Sequence, residues 1–180
     1  MNKKIISISA IIGALGLGLG IYAGNLNANA DTPQDKNVAQ LLARTLPDSA
    51  ARPQALSQWK NHFLVVNFWA TWCSPCVQEM PELSALQKEF QGKSVQIIGL
   101  GIDSPSNIAD FAKKYEISYP LYVAGLDGSE LSRQMGNQAG GLPFTVLING
   151  NGKVVKTYLG RLKMGELRAD ITKFSAEKLK

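Results

Sequence analysis

Two cysteines, Cys73 and Cys76, are separated by two residues and come shortly after the apolar run Phe63–Trp69. A continuous apolar run of this length, rich in β-branched and aromatic side chains, predicts a strand that is buried on both faces. Helix-forming residues follow at once, and apolar residues at spacings of three and four predict a helix over residues 73–90. The cysteine pair is therefore expected in the first turn of a helix that leaves a central strand, where a disulfide can close with little backbone movement.

This position predicts a reactive sulfur at Cys73. The first four N–H groups of a helix have no intrahelical partner, and together with the helix dipole they stabilise a negative charge. We therefore expect a lowered pKa for the Cys73 thiol, which then reacts as the thiolate. Pro75 suits the first turn, because its φ is fixed and its missing N–H would be unpaired there. Cys76 is expected to be the more buried, resolving thiol, which attacks a mixed disulfide formed at Cys73.

The rest of the chain alternates between predicted strands and helices. Its 180 residues, of which 45% are apolar, indicate one domain with a substantial core. Apolar runs, together with helix and turn signals, predict further elements: a short helix or strand over residues 38–46, strands over 95–102, 121–124, 144–148 and 154–159, and helices over 107–115, 130–135 and 164–178. The sequence NGNG at residues 149–152 marks a hairpin between the last two strands. This order predicts an α/β fold in which helices flank a mixed central sheet.

The N-terminus has the pattern of an export signal. Lys3 and Lys4 precede an apolar run over residues 5–23 that carries no charge, and residues 28–30 match the small-x-small pattern of a signal-peptidase site. Residues 1–30 are thus predicted to be a signal peptide or, since the run is about long enough to span a bilayer, an uncleaved membrane anchor. Residues 31–37 are predicted to be a flexible tether and residues 38–180 the domain. Either reading places the cysteines outside the cytoplasmic membrane, in an oxidising compartment.

Charge and ligand count argue against several other functions. Without Lys3 and Lys4 the formal net charge falls from +5 to +3, and no basic cluster remains to indicate nucleic-acid binding. A zinc site needs about four ligands, whereas the chain offers the two cysteines and one distant histidine, His62. A purely structural disulfide between these cysteines would close a very short loop, so it would remove little entropy from the unfolded chain.

Residues 68–76 (FWATWCSPC) and 79–81 (EMP) resemble the TlpA/ResA branch of the thioredoxin-like proteins, which are extracytoplasmic disulfide reductases. The resemblance covers roughly residues 45–174, and a WCxxC motif between a buried strand and a helix is highly specific. It implies a thioredoxin-like fold with an N-terminal extension and with an added central helix and strand. The long interval between Cys76 and Pro143 leaves room for that insertion.

The resemblance also implies a substrate-binding surface. Residues 141–145 (GLPFT) precede a predicted strand, where these proteins place a cis-proline facing the CxxC motif. Pro143 is therefore expected in cis, and Leu142 is expected to pair with the substrate chain through its backbone groups. Trp72 forms the expected apolar surface beside Cys73, and Pro75 completes the set of candidate substrate-binding residues.

A further implied role concerns proton transfer. Glu79 falls one turn after Cys76, where ResA-type proteins carry an acid near the active-site thiols. Asn67 stands where cytosolic thioredoxins have a buried aspartate, and an amide cannot act as a base. Glu79 is therefore the candidate catalytic side chain that takes the proton from Cys76, provided that its environment raises its pKa. The alternatives are a surface glutamate without a role and an amide that serves only the core.

The predicted function is that of a protein disulfide reductase with the catalytic residues Cys73, Cys76 and Glu79. No small-molecule cofactor is expected beyond the redox-active disulfide, and a monomer is expected. The resemblance implies a membrane electron donor of the DsbD/CcdA kind and substrates among exported proteins, such as apocytochrome c in cytochrome c maturation. Three alternatives stay open: an oxidant that introduces disulfides, a thiol peroxidase and a binding module without enzymatic activity.

Overall fold

The strand Phe63–Trp69 is buried along its whole length in the computed structural model, which describes residues 32–176. It lies in the middle of a five-stranded sheet, as its continuous apolar run predicts. Its side chains alternate between the two faces, so that Val65 and Trp69 enter one core and Val66 and Phe68 enter the other. This strand therefore joins two hydrophobic cores on opposite sides of one sheet.

The elements follow one another in the order α1 (Pro33–Leu42), β1 (Thr45–Pro47), β2 (Pro53–Ala55), a 3-10 helix (Leu56–Trp59), β3 (Phe63–Trp69), α2 (Ser74–Glu89), β4 (Val95–Gly101), α3 (Pro105–Lys114), β5 (Leu121–Val123), α4 (Asp127–Gln134), β6 (Phe144–Ile148), β7 (Val154–Leu159) and α5 (Met164–Ala176). The strand order in the main sheet is β5-β4-β3-β6-β7. Strand β4 is parallel to β3 and β5, whereas β6 is antiparallel to β3 and β7. This is a thioredoxin-like fold, and the predicted mixed α/β sheet is confirmed.

Helices cover both faces of the sheet. Apolar residues of α2, α3 and α5, among them Met80, Phe111 and Ile171, pack in the core on one face. Residues of α1 and α4, among them Leu41 and Leu131, pack on the other. Between α2 and β6 the chain adds α3 and β5, and β5 extends the sheet at its edge beside β4. The central helix and strand expected from the resemblance are therefore present.

The N-terminal boundary of the domain differs from the prediction. Residues 33–37 are not a tether, because α1 begins at Pro33. The helix is fixed by Val38, Leu41 and Leu42, which are buried against the sheet, and by Asp35, whose carboxylate accepts a hydrogen bond from the Val154 N–H at 3.1 Å. The predicted signal or anchor over residues 1–30 lies outside the described residues. Within residues 32–176, no helix combines the length and the hydropathy that a bilayer span requires.

Two helices begin before their predicted ranges, 107–115 and 130–135, although residues 103–105 (DSP) are themselves a helix-start signal. Helix α3 starts at Pro105, because the Ser104 hydroxyl accepts a hydrogen bond from the Asn107 N–H and so caps the first turn. Helix α4 starts at Asp127, where two acidic residues occupy the first turn. The strands of the C-terminal hairpin, β6 and β7, have the predicted boundaries.

Candidate active site

The two cysteines lie where β3 ends and α2 begins, and they form a disulfide with a Cα–Cα distance of 5.3 Å. Cys73 is the residue immediately before α2, and its carbonyl accepts the N–H of Val77 at 3.1 Å. Pro75 lies in the first turn, as predicted. Cys73 keeps 6% of its surface exposed, whereas Cys76 is fully buried. A second sulfur can therefore approach this disulfide only from the side of Cys73.

The turn that carries Cys73 is tied to the neighbouring strand. Asp103, just beyond β4, accepts hydrogen bonds from both the backbone N–H and the hydroxyl of Thr71. Its other carboxylate oxygen accepts from Ser104 and Asn107. Partial burial opposes ionisation, but these hydrogen bonds outweigh it and hold the pKa of Asp103 below its ordinary value. The pair of Thr71 and Asp103 is not predicted from the sequence, where the signal for it is that the parallel strands β3 and β4 end at the same edge of the sheet.

Beneath the disulfide, Glu79 is fully buried on α2, one turn after Cys76. One carboxylate oxygen accepts a hydrogen bond from the Asn67 side chain at 2.9 Å, and the other accepts from the Leu162 N–H at 2.9 Å. Burial raises the pKa of Glu79 to about 7, against the lowering effect of the two hydrogen bonds. The alternative of a surface glutamate is therefore wrong, and this carboxyl group can gain or lose a proton near neutral pH.

Asn67 connects Glu79 to the sheet. Its amide nitrogen donates to Glu79 and also to the Thr145 hydroxyl at 3.0 Å, because Asn67 and Thr145 are paired across β3 and β6. Its carbonyl oxygen is buried without a hydrogen-bond partner among the described residues. Asn67 is thus a core amide whose nitrogen also donates a hydrogen bond to Glu79.

The loop before β6 reaches the same end of the sheet, because Phe144 pairs with Phe68 at the end of β3. The Leu142–Pro143 peptide bond is cis, which confirms the expectation for Pro143. The Pro143 carbonyl accepts the Gly160 N–H at 2.8 Å. Neither the N–H nor the C=O of Leu142 has a hydrogen-bond partner among residues 32–176. Both groups are available to a bound chain.

Two exposed apolar side chains lie at the end of the sheet that carries the cysteines. Trp72 is 69% exposed immediately before Cys73, and Leu159 is exposed at the end of β7. Trp69 is buried beneath them in the core. The structure thus brings Cys73, Cys76, Trp72, Pro75, Leu142 and Pro143 to one end of the sheet, with Glu79 below them. His62 precedes β3 and lies at the opposite end, and the described part of the chain holds no cluster of three or more potential metal ligands.

The model of one protein family, Redoxin, matches residues 29–173. This chain belongs to the Redoxin family. Among its relatives, the thiol-disulfide oxidoreductase ResA of Geobacillus thermodenitrificans is 31% identical over 124 residues, which cover 68% of this chain and 69% of that protein. ResA of Bacillus thuringiensis is 27% identical over 173 residues, 96% of this chain and 95% of the relative.

Solved structures show the same fold for this redoxin. A thioredoxin-family thiol:disulfide interchange protein from Chlorobium tepidum superimposes with a TM-score of 0.64 at 23% identity, covering 73% of this chain and 92% of its own. StoA from Bacillus subtilis gives a TM-score of 0.58 at 19% identity, covering 70% and 93%. With the ResA relatives and the Cys73–Cys76 pair, these comparisons confirm the family resemblance and a thiol-disulfide oxidoreductase activity.

Proposed function

We propose that this redoxin is an extracytoplasmic disulfide reductase in which Cys73 is the nucleophile and Cys76 the resolving thiol. The unequal exposure of the two sulfurs carries the assignment, because only Cys73 can be reached from outside. In the reduced protein the Cys73 thiolate attacks a substrate disulfide, which breaks that bond and forms a mixed disulfide. Cys76 then attacks Cys73, which releases the second substrate thiol and closes the Cys73–Cys76 bond. Two electrons pass to the substrate, and the protein is oxidised.

Glu79 takes the proton that Cys76 must lose before it attacks. Residues one turn apart on a helix share a face, so the carboxyl group lies on the same side of α2 as the buried sulfur. A pKa of about 7 leaves a substantial fraction of Glu79 ionised at neutral pH and ready to accept a proton. Asn67 cannot do this, since an amide does not titrate.

Trp72, Pro75, Leu142 and Pro143 form the surface on which the substrate chain lies. Exposed apolar area at Trp72 suits an unfolded polypeptide, and the unpaired N–H and C=O of Leu142 suit its backbone. This surface favours a protein substrate over a small disulfide.

The N-terminal sequence supports a role outside the cytoplasm. The N-terminal pattern is that of an export signal or membrane anchor. We infer that a membrane protein of the DsbD/CcdA kind reduces this protein, which acts as a monomer on exported proteins such as apocytochrome c in cytochrome c maturation.

Trapping tests the roles of the two sulfurs. Cys76→Ser should accumulate a mixed disulfide between Cys73 and a disulfide-containing polypeptide, because no resolving thiol remains. The product should be visible on a non-reducing gel and should disappear with dithiothreitol. The double variant Cys73→Ser/Cys76→Ser is the matched control and should trap nothing. Trapping by Cys73→Ser instead of Cys76→Ser would reverse the assignment.

Equilibration with glutathione tests the direction of the reaction. A reductase should have a reduction potential at or below about −200 mV, in the range of glutaredoxins and thioredoxin. A value near about −120 mV, as in the strong oxidant DsbA, would replace the proposal with the disulfide-introducing alternative. Peroxide consumption at a rate comparable to disulfide reduction would support a thiol peroxidase instead.

A further inference from the structure

A buried asparagine lies in the loop that connects α4 to the cis-proline. Asn137 is 2% exposed, and it lies outside the set of residues that carry the thiol chemistry. Its side-chain amide donates to the Gly141 carbonyl at 2.8 Å and to the Ser132 hydroxyl at 3.3 Å. Its carbonyl oxygen has no partner among the described residues. The side chain therefore acts as a hydrogen-bond donor, and its stronger bond goes to the backbone just before Leu142.

Helix α4 holds Asn137 in place. The Asn137 N–H donates to the Ser132 carbonyl at 3.0 Å, and the Ser132 hydroxyl donates in turn to the Ser129 carbonyl at 2.9 Å. Leu131 and Met135 anchor this end of the helix in the core on the α1 side of the sheet. These contacts fix the position of Asn137 relative to α4, so its side chain can orient the loop that follows.

The bond to Gly141 orients a whole peptide unit. The Gly141 carbonyl and the Leu142 N–H belong to the same planar trans peptide, so they point in opposite directions. Because Asn137 holds the carbonyl, the Leu142 N–H is directed away from Asn137. On the other side of Leu142, the Gly160 N–H holds the Pro143 carbonyl. The carbonyls of Gly141 and Pro143 therefore both accept hydrogen bonds within the protein. The N–H and C=O of Leu142, which lies between them, have no partner among the described residues.

We propose that Asn137 is a positioning residue that orients the Leu142 N–H for hydrogen bonding to the backbone of a polypeptide substrate. The inference rests on the proposed function and deepens it. An extended chain beside Leu142 offers one acceptor and one donor, which match the two free groups as in a strand pair. A small disulfide has no peptide backbone, so its reaction at Cys73 does not use Leu142. Asn137 therefore determines the preference for polypeptide disulfides without taking part in sulfur chemistry.

The experiment compares two substrates in single turnovers of the reduced protein. One is an unfolded polypeptide with a single disulfide, and the other is 5,5′-dithiobis(2-nitrobenzoate), a small aromatic disulfide. Asn137→Ala and Asn137→Asp should lower the second-order rate constant for the polypeptide about tenfold, the effect of one or two backbone hydrogen bonds. The rate constant for the small disulfide should stay within about twofold of the wild type, because that reaction forms no such bonds.

The chain offers a matched control in Asn37. Its side chain also donates to a backbone carbonyl at 2.8 Å, that of Gln134 at the end of α4, but it does not touch the cis-proline loop. Asn37→Ala should leave the ratio of the two rate constants unchanged. Denaturant unfolding shows whether each variant is folded.

The outcomes separate this inference from the function on which it rests. A wild-type protein that reduces neither disulfide overturns the proposed function and this inference with it. A wild-type protein that reduces both, with Asn137 variants that slow both reactions equally or neither, overturns the inference alone. Failure of both Asn137 variants to fold would assign Asn137 to stability and overturn it as well.

Discussion

At the scale of single residues, the environment of Glu79 is the most consequential feature of the site. The carboxyl group is removed from water, which disfavours its charged form, while Asn67 and the Leu162 N–H stabilise that form. Burial is the larger effect, so the pKa rises from 4.5 to about 7. An exposed glutamate has an ordinary pKa and would be fully ionised at neutral pH.

The raised pKa predicts a pH dependence of stability that Glu79→Gln removes. Between about pH 4.5 and 7 the folded protein keeps the Glu79 proton whereas the unfolded chain has lost it, so the folded state binds more protons. The free energy of unfolding of the wild type, relative to Glu79→Gln, should therefore fall as pH rises through this range, by up to about 3 kcal/mol. Urea unfolding of the oxidised proteins at several pH values measures the difference.

Glu130→Gln is the control for this prediction, because Glu130 is exposed on α4. That variant should keep the wild-type slope. A Glu79→Gln protein with the same slope as the wild type would show that folding does not raise the pKa of Glu79.

Asn67→Leu should raise the pKa of Glu79 above its wild-type value. Leucine is similar in size to asparagine but cannot donate the hydrogen bond that stabilises the Glu79 carboxylate. A carboxyl 13C titration by NMR measures the change directly. Thr145→Val removes the other acceptor of Asn67 but not the hydrogen bond to Glu79, so it should leave the titration midpoint of Glu79 unchanged. An unchanged midpoint in Asn67→Leu would contradict the role given to Asn67.

At the scale of elements, the C-terminal hairpin shows how local chemistry sets a turn. The Asn149 carboxamide oxygen accepts the N–H groups of Asn151 and Lys153, both at 3.0 Å. Gly152 has a φ of +76°, a conformation that other residues adopt only with strain. The turn and its flanking strands can therefore form from contacts within about ten residues.

Two glycine substitutions should change stability in opposite directions. Gly152→Ala should lower the free energy of unfolding by about 1 to 2 kcal/mol, because alanine is strained at positive φ. Gly165→Ala, in α5 where nothing lies within 4 Å of an added methyl group, should raise it by up to about 1 kcal/mol. Denaturant unfolding measures both. Equal effects at the two positions would mean that backbone conformation does not decide them.

At the scale of the whole molecule, the sheet needs a cover on each face. On one face α2, α3 and α5 supply it, and on the other α1 and α4 do so. Helix α1 is thus part of the domain, even though half of its ten residues are polar. Because β3 contributes to both cores, a disturbance of the core on the α1 side also reaches the strand that precedes Cys73.

Leu41→Ala should therefore destabilise the whole domain by about 2 to 5 kcal/mol, the usual cost of truncating a fully buried leucine. Leu126 is 93% exposed, so Leu126→Ala should change stability by no more than about 0.5 kcal/mol. Thermal or denaturant unfolding of the two variants tests the assignment. A neutral Leu41→Ala would mean that α1 does not belong to the folded unit.

The sequence by itself determined the features that depend on neighbouring residues. Strand β3, helix α2, the hairpin strands and the cysteine pair at a helix start follow from periodicity, turn residues and spacing. The cis state of Pro143 followed only with the family resemblance. The polar pattern of residues 33–37 predicted a flexible tether, and this prediction is wrong. Helix α1 is stabilised by contacts with parts of the sheet that are distant in sequence.

Only the tertiary structure decided the proton affinity of Glu79 and the orientation of the substrate-binding loop. Asn67, Glu79 and Leu162 belong to a strand, a helix and a distant loop, and strand pairing together with the packing of α2 against the sheet brings them within hydrogen-bond distance. Burial and hydrogen bonding depend on which residues distant in sequence become neighbours in the folded chain. Spacing along the sequence therefore located the sulfurs, but it could not set the charge state of the group beneath them.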